Sequence, residues 1–100
     1  MDSFVRELIR RALAEDIGSG DATSLALIPV STTARAAIAA REPLTVAGLA
    51  QTELCFSEID DTIKFERTTE DGQSLEAETI LLRLEGPAQN ILAGERTALN

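Results

Sequence analysis

The chain has 100 residues, 44% of them hydrophobic and 26% charged, which suits one folded domain with a modest core and excludes a disordered segment. Seventeen acidic residues against nine basic ones leave a net charge of −8, and this opposes nucleic-acid binding, which needs clustered Lys and Arg. Histidine is absent and Cys55 is the single cysteine, so the commonest zinc and nucleophile arrangements and any internal disulfide are excluded.

No apolar run is long enough to span a bilayer, and no secretory signal pattern is present. A cytoplasmic domain that works away from membranes is the expectation. The only aromatics are Phe4, Phe56 and Phe65, so the core must be built from Leu, Ile, Val and Ala.

Asp2 or Ser3 can cap a first helix running to about Glu15, with Phe4, Leu8, Ile9, Ala12 and Leu13 as its apolar stripe. Residues Glu15 to Ser24 hold two glycines among short polar residues and read as an ordered turn segment. Ala34–Arg41 is rich in alanine, a helix former. The following Glu42-Pro43 and Leu44-Thr45-Val46 nonetheless suit a strand, a turn and a second short strand.

Gly48 opens a helix from Leu49 to Ile59, with Leu54, Cys55, Glu58 and Ile59 in helical spacing. Ile63–Thr68 alternates, placing Ile63, Phe65 and Arg67 on one face of a strand. Glu70-Asp71-Gly72-Gln73 is a turn, and Thr79–Glu85 is an apolar strand ended by Gly86-Pro87. Pro87 suits the first position of a last helix whose stripe is Ala88, Ile91, Leu92, Glu95 and Leu99. No stop signal follows that stripe, so the chain is expected to break off within this helix. The order predicts an α+β domain with a small, mostly antiparallel sheet and flanking helices.

Three constellations could carry chemistry. Glu15, Asp16 and Asp21 could offer oxygen ligands to a hard cation, but the calcium-loop spacing is not met and local capping is the favoured role. The hairpin around Asp71–Leu75 has the outline of a carrier domain, yet the nearest lysine, Lys64, precedes the turn. The carrier reading falls. Glu95-Arg96-Thr97 lies on the last helix, where Arg96 reads by itself as a surface cation or a partner for an acid. The functional alternative is a planar fork onto a carboxylate or phosphate.

Glu15-Asp16-Ile17-Gly18-Ser19-Gly20-Asp21-Ala22-Thr23-Ser24, Ala40-Arg41-Glu42 with Val46-Ala47-Gly48, Asp71-Gly72, and Glu95-Arg96-Thr97-Ala98-Leu99-Asn100 occur in order along the chain. Together they resemble the N-terminal domain of quinolinate phosphoribosyltransferase, the decarboxylating enzyme of NAD synthesis. The chain departs from the family at Arg41–Thr45, where a glycine-containing turn is more usual.

The resemblance implies an α/β-hammerhead-type domain over residues 1–100, followed in the whole enzyme by an α/β barrel absent from this chain. It implies quinolinate and phosphoribosyl pyrophosphate as substrates, Mg2+ bound by the barrel, and a homodimer in which this domain closes over the partner's barrel site. Arg96 is the one substrate-binding residue it carries over, reaching quinolinate. No catalytic residue and no metal ligand are carried over, so the chain alone is expected to be inactive. Two alternatives stand beside this reading. One is a molybdate-transport-associated paralogue of the same fold, which lacks the Glu-Arg-Thr-x-Leu-Asn run. The other is a non-catalytic binding module.

Overall fold

A computed structural model describes residues 22–98 of the chain. The expected first helix, the acidic loop as far as Asp21, and Leu99 lie outside the described residues.

Four strands form the main antiparallel sheet in the order β1-β2-β6-β4: β1 Thr23–Val30, β2 Thr33–Ala40, β6 Ile80–Pro87 and β4 Lys64–Arg67. A second, two-stranded sheet pairs β3, Leu44–Thr45, with β5, Ser74–Leu75. Helices α1, Leu49–Ile59, and α2, Ala88–Ala98, pack together and on one face of the main sheet. This is the α+β arrangement expected from the sequence.

The alanine-rich stretch is a strand despite its helix propensity, because it runs between β1 and β6 and is hydrogen-bonded on both sides. Ala34, Ala36, Ile38 and Ala40 face the helices, while Ala37 and Ala39 are buried with Ala26 and Ile80 on the opposite face. Small side chains let both sides of one strand be filled.

β1 corrects the reading of Thr23 and Ser24 as turn, since they already pair with Ala40 and Ala39. Pro29 interrupts this strand and hides it from the local pattern. Proline is tolerated there because β1 lies at the sheet edge, where a missing N–H breaks no second ladder.

β6 contains the device that makes its leucines useful. The register slips between Ile38 and Ala39, so Leu82 opposes Ile38 while Ile80 opposes Ala39. Leu81 is the extra residue of this bulge, and both Leu81 and Leu82 enter the helix-facing core. The carbonyls there are used: Thr68 N–H and the Thr69 hydroxyl donate to Leu81 O, each at 3.1 Å.

β4 keeps its predicted alternation. Phe65 and Arg67 oppose Leu84 and Leu82 on the inner face, and Lys64 and Glu66 oppose Glu85 and Arg83 on the outer one.

Candidate functional site

The one site residue expected from sequence, Arg96, sits in the last turn of α2 and is exposed. A cation there complements the partial negative charge of the helix C-terminal end. No hydrogen bond or ion pair ties Arg96 to another described residue. Thr97 turns its hydroxyl back to Ala93 O at 3.4 Å, and Glu95 is half-buried. The guanidinium fork is therefore available to an outside carboxylate or phosphate.

The helix that carries it begins without a loop. Pro87 is the last residue of β6, paired with Thr33, rather than the first helical residue, and Ala88 N–H donates to Thr32 O at 3.3 Å. The sheet thus aims α2 directly.

The buried face of α2 also differs from the expected stripe. Ile91 and Gly94 are buried, Ala88 and Ala98 pack at the margin, and Leu92 is 48% exposed. Leu92 lies one turn before Arg96, so an exposed leucine and a cation that no described residue engages share the outer face. The expected spacing in α1 shifts as well. Leu49 and Phe56 point inward, while Leu54 and Ile59 are 57% and 38% exposed.

The two helices meet at Phe56 and Gly94. Phe56 is fully buried, with its ring edge-on to Phe65 at a centroid distance of 6.4 Å and an interplanar angle of 67°. A Cβ placed on Gly94 would lie 2.6 Å from Phe56 Cε1 and 3.0 Å from Cγ, and closer still to Cδ1. Only glycine allows this approach. The sequence held the signal, an isolated glycine inside a helical pattern, but the apolar stripe drew the assignment to Leu92 instead.

A polar clasp holds the other end of the helix pair. Asp60 follows α1, and its Oδ2 accepts from Asn90 Nδ2 of α2 at 2.8 Å. Its Oδ1 accepts from the Thr62 backbone N–H at 2.8 Å and the Thr62 hydroxyl at 2.6 Å. The Thr62 hydroxyl, then Asn90, then the Thr62 N–H hold the Asp60 carboxyl below its ordinary value of 3.8. Thr62 is a local partner two residues on, whereas Asn90 lies thirty residues away and no local motif announces it.

Further contacts fix α1. Leu49 N–H donates to Asp71 Oδ1 at 3.2 Å, which ties the helix start to the Gly72 turn. Arg67 of β4 forks onto Glu53 of α1, with Nε–Oε2 at 2.7 Å and Nη2–Oε1 at 3.0 Å. Hydrogen bonding to Glu53 and its charge raise the Arg67 guanidinium above its ordinary value, so this cation is spoken for.

Among the described residues, no group of three or more Cys, Asp or Glu side chains is placed to hold a metal ion. No described helix is long and apolar enough to cross a membrane.

The family model for the quinolinate phosphoribosyl transferase N-terminal domain matches residues 21–100. The chain belongs to the quinolinate phosphoribosyltransferase family. A mitochondrial quinolinate phosphoribosyltransferase of Nicotiana tabacum is 35% identical over 97 residues, covering 96% of this chain and 28% of the relative. A probable nicotinate-nucleotide pyrophosphorylase of Methanocaldococcus jannaschii is 34% identical over 100 residues, covering all of this chain and 34% of the relative.

Among solved structures, NadC from Streptococcus pyogenes superposes with a TM-score of 0.66 at 26% identity, covering 100% of this chain and 37% of that one. The nicotinate-nucleotide pyrophosphorylase of Francisella tularensis gives 0.60 at 26% identity, over 96% of this chain and 34% of that one. The chain thus spans about a third of the length of these relatives, and the part it spans is the family's N-terminal domain.

Proposed function

We propose that this domain serves a quinolinate phosphoribosyltransferase as substrate lid and dimerisation element. The reaction would join quinolinate to phosphoribosyl pyrophosphate, release pyrophosphate and CO2, and leave nicotinate mononucleotide for NAD synthesis. The observation that carries the reading is Arg96, an exposed guanidinium that no described residue engages, at the end of a helix anchored by the sheet.

Quinolinate carries two carboxylates, and an Arg fork both recognises and orients such a group. Decarboxylation leaves an electron pair on the ring carbon, which the newly formed pyridinium nitrogen stabilises until a proton from solvent takes the place of the lost carboxylate. The protein's share is then positioning and charge stabilisation. An acidic domain such as this fits that chemistry when a second domain supplies the compensating positive field.

The exposed Leu92 beside Arg96 supports a role at a covered surface, here the barrel site of a partner subunit in a homodimer. Mg2+ is assigned to the barrel, outside this domain. The cytoplasm is proposed as its compartment, in keeping with the single cysteine, although plant relatives carry mitochondrial and chloroplastic names.

The test is Arg96→Ala in the full-length enzyme. Quinolinate binding is expected to weaken by about 10-fold or more, the loss of one charge-assisted fork, with phosphoribosyl pyrophosphate binding little changed. Unchanged quinolinate affinity would refute the assignment. The chain by itself is expected to give no turnover with both substrates and Mg2+.

A further inference from the structure

We infer that Gly94 is the positioning residue that sets the reach of Arg96, through its bare backbone contact with the ring of Phe56. The inference rests on the Arg96 reading above and adds the part of the fold that makes it work.

Gly94 and Arg96 are two residues apart, about 200° around the helix, so one points into the α1 contact as the other points away from it. Any widening at Gly94 therefore moves Arg96 outward along its own direction. The ring cannot yield instead, because Phe56 is fully buried and rests edge-on against Phe65. A methyl group at Gly94 must reach an ordinary carbon–carbon distance of about 3.5 Å or more, which requires a shift of roughly 1 Å.

One turn earlier, Asn90 holds α2 to Asp60 at 2.8 Å. With that point tethered, the added methyl levers the end of the helix, where Arg96 lies. An error of about 1 Å in a positioning group costs up to about 10²-fold.

The experiment uses the full-length enzyme and compares Arg96→Ala, Gly94→Ala and Gly94→Ala/Phe56→Leu, reading KM for quinolinate and for phosphoribosyl pyrophosphate. Gly94→Ala is expected to raise the quinolinate KM about 10-fold and leave the other KM within about twofold. The double variant, whose smaller and more flexible side chain makes room for the methyl, is expected to recover most of that loss. General destabilisation would move both constants together and gain nothing specific from the second change, and that pattern overturns the inference.

A folded Gly94→Ala enzyme with unchanged quinolinate KM, beside a weakened Arg96→Ala, overturns the inference alone. An Arg96→Ala enzyme with unchanged quinolinate KM overturns the Arg96 reading, and the inference with it. Should Gly94→Ala fail to fold, Phe56→Leu with Gly94 intact removes the ring on which the helix rests. A selective change of about threefold or more in quinolinate KM is then expected, and no change in either constant refutes the inference.

Discussion

Asp60 gathers three hydrogen bonds on one carboxylate and joins the end of α1 to Asn90 of α2. Its pKa in the folded chain lies below the ordinary value of 3.8, so its contribution to stability is complete above that value. The contribution fades as pH falls through the lower, folded-state pKa. Asp60→Asn is therefore expected to lower the melting temperature at neutral pH, with the gap to the parent narrowing in strong acid as pH falls through the lowered folded-state value. Melting curves at neutral pH and in strong acid check this, and an equal gap at both would show that the charge is not what matters. Arg96 itself was visible in sequence only through its motif. Position, spacing and charge gave it the ordinary role of a surface cation, and the fold adds that no described residue engages it.

At the scale of elements, α1 is held at its start by the Asp71 carboxylate and along its body by Phe56. Asp71→Ala is expected to cost about 1 kcal/mol, the range of a lost helix cap. Phe56→Ala should cost about 3–5 kcal/mol, because the surrounding core cannot fully collapse into the space. Chemical denaturation of both variants ranks the two contacts, and a Phe56→Ala chain as stable as the parent would contradict the packing described. The extent of α1 was fully legible, as Gly48 at φ 78° and the break at Asp60 bound it. Its inward face was not. An 11-residue helix with scattered apolar residues offers more than one stripe, and only its neighbours select Leu49 and Phe56 over Leu54 and Ile59. The same ambiguity put Leu92 inside α2, where Gly94 belongs.

At the scale of the whole molecule, the main sheet is buried on both faces around β2. Ala36 and Ala37 are 0% and 1% exposed although they point to opposite sides. Ala36→Asp is expected to destabilise the chain by about 3 kcal/mol or more, since it buries a charge with no partner between Leu27 and Leu84 in the helix-facing core. Denaturant titration reads the loss directly, and a shift below about 0.5 kcal/mol would mean that this face is open to water.

The sequence by itself determined the α+β class, the limits of α1, the alternation of β4 and the family, because each is written in local spacing or in short contiguous motifs. The tertiary structure alone decided that both faces of the alanine strand are buried and that Thr23–Val30 is its edge neighbour. It also decided that a bulge turns two adjacent leucines inward and that glycine, not leucine, meets α1. The physical reason is common to all four. Side-chain periodicity reports how many faces an element can bury, whereas which face is buried depends on elements distant in sequence.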